Sequence, residues 1–519
     1  MTRLSRRTIA ASIAGVLMPG VLMLSACGSQ DRESDTDALR IVGPFEVHSL
    51  VPAASSAVFN RLHIIETLVG TDMDGDIVEG LATAWSSSED QSEWTFELPT
   101  GVTFHDGTPL TSEAVANALT WAAQEAGSPL ATADIKHIEP LDSAIRIELE
   151  QPLPTLPAIL THYSTAVLAP AAYGDNGEVL NVIGTGAYQA SHIELPASIR
   201  TTKFDDWRGA EPQIERVEFQ TVSRAESRAL MAASGQADVI FHLEPSGRQR
   251  VESANNVRLV SSLQPRTLYM KVNGEHPVLG DKRVRQAISK GIDRASIADA
   301  VLRERELGAT QLFPPSLVAW HNDDLAPLDH DPEGAIDLLA DAGWTQGANG
   351  LMQRDGQPLT VTLMTYPDRP ELPALAAAIQ DQLRQIGVQV RVDVTNSSEI
   401  PVGHEDGTLE LGLLARHLAL VSDPLVTVAD TFGPEGADWG AMNWSNDEVL
   451  AAIDELLAGA DDDRADELRA RIAEIAQDEL PVIPIAWYRM NAAVSDRVEN
   501  FELDPLEYTW RITDATLVR

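Results

Sequence analysis

The sequence has 519 residues but a single cysteine, Cys27, and few positively charged side chains. One cysteine cannot form a disulfide within the chain, so stability must come from burial and hydrogen bonding. Lys and Arg number 38 against 78 Asp and Glu, which gives a formal net charge of −40. A chain this acidic repels nucleic acid, and we therefore expect no nucleic-acid partner.

Common catalytic signatures are also missing. The pair at 404–405 lacks the second histidine of a zinc-protease helix, no G-x-S-x-G elbow occurs, and the glycines at 184 and 186 lack the third glycine of a dinucleotide loop. Residues 72–76 resemble a calcium loop superficially, but Ile77 and Thr83 stand where glycine and glutamate are required, so the segment predicts a hairpin turn. We expect no enzymatic activity and no intrinsic cofactor.

Residues 1–26 have the order of parts of a signal peptide. Arg3, Arg6 and Arg7 precede an apolar stretch at about 9–24 that is too short and too interrupted for a permanent membrane span. Small residues follow, ending in Leu24-Ser25-Ala26-Cys27. This order predicts export of the chain from the cytoplasm.

The ending of the leader resembles the bacterial lipobox, which implies a diacylglyceryl group on Cys27 and cleavage just before it. Two acyl chains hold a protein stably, so the expected location is extracytoplasmic, anchored by lipid to the cell membrane. Residues 27–38 would then be the lipidated cysteine and a flexible polar tether. A plain secretory signal is the alternative, and the resemblance of residues 5–9 to a twin-arginine signal leaves the export route open.

The strand patterns are spread along the chain. Alternating apolar and polar residues predict half-buried strands at 94–98, 144–149 and 388–394, and an apolar run predicts a first strand at 38–42.

Helical patterns alternate with these strands. Thr111 or Ser112 can cap a helix, and longer helices are predicted over 283–302 and 371–386, the second ending at Gly387. The interleaving predicts an α/β architecture, and the length calls for at least two lobes.

Blocks of sequence identify a family. They follow one order over most of the chain and lie at residues 80–119, 183–188, 204–212, 235–239, 284–294, 332–344 and 383–390. In this order they resemble the family 5 solute-binding proteins of ABC importers, a group that binds oligopeptides, dipeptides and nickel chelates.

The resemblance implies a two-lobe clamshell of the class II periplasmic-binding-protein type, which closes by a hinge around a ligand in the cleft. Lobe I would comprise residues 39–56, 181–266 and 496–519, with an extra subdomain at 57–180. Lobe II would comprise residues 270–495. The hinge would then lie in two crossing segments, near 267–270 and 494–497.

The resemblance also suggests where the ligand binds. Peptide-binding relatives hold the ligand's amine with an aspartate just upstream of a D-P or E-P step, and here Leu420 stands in that place before Pro424. Arg416 and His417 lie in the same segment: an arginine can bind a carboxylate bidentately, and a neutral histidine is a natural nickel ligand. We therefore assign both to the ligand site, with His417 as a tentative metal ligand, and keep surface and packing roles as the alternative.

Further candidates come from the same comparison with the family. His162 and Tyr163 precede the Ala169-Pro170 step, where nickel-binding relatives carry arginine, and Phe45 and His48 follow the first strand. A structural role is the alternative for His162, and a core position is the alternative for Phe45.

These expectations define the predicted function. The chain would be a membrane-anchored, monomeric substrate-binding protein that captures a nickel or other metal chelate, or a short peptide, and delivers it to the transmembrane subunits of an ABC permease. The metal would arrive as part of the bound chelate. An ordinary di- or oligopeptide receptor is the alternative, and a secreted lipoprotein hydrolase or adhesin is a distant one.

Overall fold

A computed structural model describes residues 37–55, 57–125, 128–367, 369–434 and 436–518. Within these ranges no helix is both long enough and apolar enough to cross a membrane. The predicted signal peptide, Cys27 and most of the tether lie outside the described residues, so the lipid anchor stays a prediction.

The strands are short apart from two. In chain order they are β1 Ala38–Gly43, β2 Val69–Thr71, β3 Ile77–Glu79, β4 Ala84–Ser87, β5 Glu93–Glu97, β6 Ile135–Pro140, β7 Ala144–Leu149, β8 Tyr188–Glu194, β9 Ser198–Lys203, β10 Arg216–Thr221, β11 Val239–Phe241 and β12 Val257–Val272. They continue with β13 Thr345–Gln346, β14 Met352–Arg354, β15 Gln357–Pro358, β16 Thr360–Thr365, β17 Gln389–Val394, β18 Leu411–His417, β19 Val482–Ser495, β20 Val498–Glu499 and β21 Thr516–Leu517.

The α-helices lie between these strands. In chain order they are α1 Val58–Arg61, α2 Ser112–Ala122, α3 Leu156–Ile159, α4 Ala225–Ser234, α5 Pro245–Glu252, α6 Lys282–Lys290, α7 Arg294–Ile297, α8 Pro332–Asp341, α9 Glu371–Gln385, α10 Glu399–Glu405, α11 Pro424–Phe432, α12 Asp447–Leu457 and α13 Asp462–Glu479.

Most strands join one mixed sheet in the order β17-β16-β18-β12-β19-β11-β1-β10-β9-β8. The two long strands, β12 and β19, lie antiparallel in its middle, from Val257 opposite Ser495 to Lys271 opposite Val482. Their register shifts between Leu263 and Thr267. Beyond the shift β12 also pairs with β18, whereas before it β19 pairs with β11. The chain therefore passes between the two halves of the sheet on these two strands.

Separate hydrophobic cores lie along this sheet. One core packs β16, β18 and the helices around Tyr269 and Leu363, and a second packs β1 and β10 around Leu39 and Phe219. A third core lies between α2 and the four-stranded sheet β4-β5-β7-β6. Residues 490, 492 and 494 of β19 pack in the second core with β1. The lobe boundaries, with the second crossing near 494–497, stay a prediction.

Several local predictions are confirmed. The Thr111 side chain accepts a hydrogen bond from the Ala114 backbone N–H and caps α2, and Gly387 follows α9 at a φ of 82°, which glycine adopts without strain. The 72–76 segment is a hairpin turn between β2 and β3.

The predicted helix over 283–302 is wrong in its continuity. Helix α6 ends at Lys290, and α7 starts again at Arg294 after the Gly291-Ile292-Asp293 step. The Asp293 side chain accepts a hydrogen bond from the Ser296 N–H at 2.9 Å, so it caps a new helix and interrupts the first. A five-residue π-helical turn, Ala298–Leu302, then ends the segment.

The glycine turn at 183–188 leads into β8 and packs closely against the backbone that follows α1. A Cβ atom on Gly184 would lie 2.1 Å from the Ile64 carbonyl oxygen, and one on Gly186 would lie 2.0 Å from the His63 carbonyl oxygen. Any larger residue would push the two backbones apart. This close approach fixes the segment around Arg61, which matters for the site described next.

Candidate functional site

Buried polar atoms without a hydrogen-bond partner concentrate in one region. Among the described residues this region contains Arg266 Nε, His417 Nε2 and Glu507 Oε1, with Gln264 Oε1 and Ser422 Oγ nearby in the chain. Such atoms are rare in folded proteins because each one loses its contact with water without replacement. Their concentration where β12, β18 and the segment 504–511 meet is the property expected of a binding site for a polar molecule.

Seven side chains form what we call the central cluster: Arg61, His242, Arg266, Arg369, His417, Tyr488 and Glu507. They come from α1, from the loops after β11 and before α9, from β12, β18 and β19, and from the C-terminal segment. The sheet brings these elements together because β12 lies between β18 and β19.

Arg266 and Glu507 form an ion pair at the centre of this cluster, with Arg266 Nη2 donating to Glu507 Oε2. The Arg266 guanidinium lies 5.5 Å from the centre of the Tyr488 ring, and the Arg369 guanidinium lies 5.3 Å from the same ring. Arg369 also lies 3.9 Å from the Glu371 carboxylate. Two arginines are therefore each paired with one acid and stacked on one tyrosine.

Arg61 differs from these two arginines. Its Nε donates to the Glu507 backbone carbonyl oxygen at 3.1 Å, and its guanidinium lies 4.9 Å from the centre of the Phe45 ring. No carboxylate among the described residues forms an ion pair with it. Burial lowers the pKa of Arg61, and the nearby Glu507 charge offsets only part of that effect. The cluster thus contains a half-buried cation that contacts a carbonyl group and a ring.

His417 is buried on the same side as Arg266. Burial lowers its pKa to about 3, with the Arg266 charge as the next cause. Its Nδ1 accepts a hydrogen bond from the Ala419 N–H at 3.2 Å. In the neutral ring the proton must then sit on Nε2, which makes Nε2 a hydrogen-bond donor.

His242 is the second buried imidazole of the cluster. Burial lowers its pKa to about 3, and its Nδ1 lies 2.9 Å from the Tyr488 hydroxyl. Its ring packs against Phe45, with the ring centres 5.1 Å apart. Burial also raises the pKa of Tyr488 to about 12, so both groups are neutral near pH 7.

The structure brings Phe45, Tyr163 and His417 to the central cluster. Phe45 contacts Arg61 and His242. Burial raises the pKa of the Tyr163 hydroxyl, and the nearby charge of Arg61 lowers it in part. Phe45 also packs against the second core, so its predicted core role holds in part.

Among the described residues, His162 and His48 form no hydrogen bond, ion pair or ring contact with the seven side chains of the central cluster. The centre of the His162 ring lies 4.2 Å from that of Tyr163, and its Nδ1 lies 2.7 Å from the Ser164 hydroxyl. The His48 side chain is 68% exposed and pairs with Glu46 at 2.9 Å.

Arg416 and His417 lie on opposite faces of β18, because successive side chains of a strand alternate. Arg416 forms an ion pair with Asp430 of α11, and its charge acts on Tyr269 and Lys271 rather than on Arg266. The structure therefore places the two side chains on different sides of β18, and their binding to one ligand stays a prediction.

Leu420 is 40% exposed at the position where the family comparison expects an aspartate in peptide binders. Beside it, the Tyr508 hydroxyl donates to the Ala419 carbonyl oxygen at 2.9 Å. The C-terminal segment therefore makes two neighbouring contacts: Tyr508 bonds to the turn after β18, and Glu507 pairs with Arg266 of β12.

Comparison with known proteins agrees with this fold. The sequence model of the family described as bacterial extracellular solute-binding proteins, family 5, middle part, matches residues 76–437. The chain belongs to this family. It is 26% identical to the nickel-binding periplasmic protein of Escherichia coli K12 over 484 residues, covering 90% of this chain and 91% of the relative. It is 25% identical to the dipeptide-binding protein of the same organism over 491 residues, covering 88% of each chain.

A solved structure shows the fold at the level of the whole chain. The crystal structure of NikA from Brucella suis, in complex with Fe(III)-EDTA, superimposes with a TM-score of 0.81 at 23% identity, covering 93% of this chain and 100% of that one. This solute-binding protein therefore has the two-lobe α/β fold predicted for it.

Most of the central cluster of this solute-binding protein was missed by sequence reasoning. Arg61, Arg266, Arg369, His242 and Glu507 belong to no motif and lie far apart in the chain. They share no local sequence signal beyond being polar or charged, and that signal is too common to select them.

Proposed function

We propose that this chain is the capture subunit of an ABC importer and binds a small carboxylate-bearing ligand in the central cluster. The observation that supports it most is Arg61, a half-buried arginine that contacts a carbonyl oxygen and a ring but forms no ion pair with an acid among the described residues. Loss of water from a guanidinium that has no ion-pair partner is costly, and a ligand carboxylate would supply that partner through two parallel hydrogen bonds.

The other groups of the cluster support an anionic ligand. His417 Nε2 is a donor without a partner, and Arg266 Nε is another. Three guanidiniums, of Arg61, Arg266 and Arg369, face two carboxylates, of Glu371 and Glu507, which leaves one positive charge uncompensated within this set.

A metal chelate is our first ligand candidate, and a short peptide is the second. Leu420 replaces the aspartate that would bind a peptide amine, and nickel-binding proteins are among the relatives. The described residues include no group of three or more His, Cys, Asp or Glu side chains arranged to hold a metal ion. We therefore expect any nickel to arrive already held by an organic acid. The dipeptide-binding relative keeps the peptide alternative open.

In this proposal the chain performs no covalent chemistry. Binding of the ligand favours the closed form of the two lobes, and the closed form is delivered to the permease. A lipid on Cys27 would keep the monomeric receptor at the membrane and raise its effective concentration there.

Isothermal titration calorimetry tests the proposal, with nickel plus L-histidine compared with a library of tripeptides. Binding of nickel–histidine that weakens in Arg61→Gln and His417→Ala would support it. Tight tripeptide binding with no response to nickel would contradict the chelate candidate. Unchanged affinity in Arg61→Gln would contradict the carboxylate site itself.

The Arg416→Ala variant tests whether Arg416 binds the ligand, as the sequence predicts, or only pairs with Asp430, as the structure shows. Arg416 is paired with Asp430 on the other face of β18, so we expect Arg416→Ala to change ligand affinity less than Arg61→Gln does.

A further inference from the structure

Glu507 has one carboxylate oxygen in use and one without a partner. Oε2 pairs with Arg266 Nη2, while Oε1 is buried and has no hydrogen-bond partner among the described residues. The Glu507 side chain is 8% exposed, so water replaces little of the missing bond. A buried carboxylate oxygen is a strong acceptor, and leaving it empty is unfavourable.

The backbone holds Glu507 in a conformation that side-chain-bearing residues seldom adopt. Its φ is +62°, a left-handed value that favours glycine. Asp504 fixes the turn: its Oδ1 accepts from the Leu506 N–H and its Oδ2 from the Thr509 N–H, both at 2.8 Å. The Glu507 N–H in turn donates to the Asp504 carbonyl oxygen at 3.2 Å. The turn therefore holds a glutamate, whose carboxylate joins the cluster, at a backbone conformation that glycine would adopt more easily. Strained residues of this kind concentrate at functional sites.

Glu507 is ionised in this setting. Burial alone would raise its pKa, but Arg266, His417 and Arg61 together hold the pKa well below its usual value. The carboxylate thus carries a negative charge, and the charge of Arg61 is one of those that keep it ionised.

We propose that Glu507 and Arg61 together recognise a free α-amino-acid head group on the ligand, with the ligand carboxylate on Arg61 and the ligand amine on Glu507 Oε1. This inference rests on the proposed function, because it assigns the second half of the same ligand. In an α-amino acid the amine and the carboxylate are separated by a single carbon, so their partners must be neighbours. The Arg61 side chain contacts the Glu507 backbone, since its Nε donates to the Glu507 carbonyl oxygen at 3.1 Å, and the Arg61 charge also lowers the pKa of the Glu507 carboxylate. Glu507 would thereby supply the negative charge for the ligand amine, which an aspartate provides in peptide-binding relatives and Leu420 cannot provide here.

Two sources present this head group. A free amino acid, or a larger molecule with an unmodified α-amino-acid end, presents it as an ammonium and a carboxylate. An amino acid bound to nickel keeps N–H donors on its coordinated amine, and these can also reach Glu507 Oε1. A linear tripeptide does not present it, because its amine and its carboxylate lie at opposite ends.

The test compares probes that carry this head group with probes that lack it. L-histidine, with and without equimolar nickel, is compared with N-acetyl-L-histidine, and glutathione, whose γ-glutamyl end keeps a free head group, is compared with triglycine. Calorimetry is run on the full chain and on Glu507→Gln. We expect at least one carrier of the head group to bind the unmodified chain about tenfold or more tighter than its counterpart, and Glu507→Gln to abolish that preference.

Two further variants keep the test decisive. Glu66→Gln removes another carboxylate that pairs with an arginine, Arg208, outside the cluster, and it should keep the preference. Glu507→Asp retains the charge and should retain part of the preference, which a purely structural role would not do. Thermal unfolding checks that each variant is folded.

The outcomes separate this inference from the proposed function. A preference that survives Glu507→Gln, or a chain that binds none of the head-group carriers, overturns the inference. If N-acetyl-L-histidine binds as tightly as L-histidine, and its binding depends on Arg61 but not on Glu507, the carboxylate site stands and only the amine assignment fails.

Discussion

Arg61 donates a hydrogen bond from Nε to the backbone carbonyl oxygen of Glu507 at 3.1 Å, across 446 positions of the chain. The contact joins the end of α1 to the C-terminal segment. It links a half-buried cation that has no ion-pair partner among the described residues to the backbone of a residue whose buried carboxylate has one oxygen without a partner. The predictions below follow from this arrangement and from the groups around it.

The first prediction concerns Arg61→Gln. The substitution removes the cation expected to bind the ligand carboxylate, so affinity should fall by about tenfold to a hundredfold. The free energy of unfolding without ligand should change by less than about 1 kcal/mol, because the half-buried arginine loses contact with water without gaining an ion-pair partner. Calorimetry and urea unfolding measure the two effects separately.

Arg208→Gln is the matched control for that prediction. Arg208 also lies against an aromatic ring, that of Trp207, but it is paired with Glu66. Its loss should lower stability and leave ligand affinity unchanged. An Arg61→Gln variant that loses stability but binds normally would show a structural arginine instead.

The second prediction concerns the pH dependence of stability. Burial lowers the pKa of His162 from its usual 6.5 to about 4. Between these values the unfolded chain binds a proton that the folded chain does not, so stability falls as the pH decreases from about 6.5 to about 4. His162→Gln should therefore reduce the slope of unfolding free energy against pH by about 1.4 kcal/mol per pH unit in that window.

Urea unfolding at several pH values measures this slope. Above pH 7 neither state binds the proton, so the two slopes should agree there. Equal slopes at pH 5 as well would mean that His162 is protonated in the folded chain.

The third prediction concerns closure of the two lobes. The Tyr508 hydroxyl donates to the Ala419 carbonyl oxygen at 2.9 Å, and the predicted boundaries place these residues in different lobes. Tyr508→Phe should weaken the closed form and lower ligand affinity by about threefold to tenfold, as expected for one neutral hydrogen bond. Small-angle scattering with and without ligand would show a smaller compaction.

Tyr188→Phe controls for the loss of a hydroxyl. Tyr188 donates to the Ile214 carbonyl oxygen at 3.0 Å, a bond within the predicted lobe I. It should lower stability without changing the compaction. Equal effects of both variants on affinity would argue against a role of Tyr508 in closure.

The fourth prediction concerns metal without chelator. In the neutral state His417 has its proton on Nε2, since Nδ1 accepts the Ala419 N–H, and the described residues offer no cluster of three ligand side chains. Nickel alone should therefore bind about a hundredfold more weakly than nickel with L-histidine. Equilibrium dialysis measures both, and equal affinities would indicate direct coordination by the protein.

Local signals predicted much of the fold. The strand at 144–149 and the cap at Thr111 depend on neighbouring residues, and both are found as expected. The helix over 283–302 was predicted as continuous because its apolar spacing continues through Asp293. The interruption comes from the side chain of Asp293 itself, which offers the backbone a competing hydrogen bond.

The candidate site could be predicted only in part. His417 could be selected because it lies in the segment before a recognisable D-P step at 423–424, but its relation to Arg416 depends on which face of β18 each side chain occupies. Arg61 and Glu507 meet only through the fold, and nothing local marks either residue. The positive φ of Glu507 is likewise a property of its turn, which Asp504 sets by hydrogen bonding.

Mass spectrometry of small molecules released from the natively purified protein tests the central claim most directly. The account predicts a carboxylate-bearing molecule, with or without nickel, that is retained by the unmodified chain and lost from Arg61→Gln. A neutral or cationic ligand without a carboxylate, retained equally by both, would contradict it.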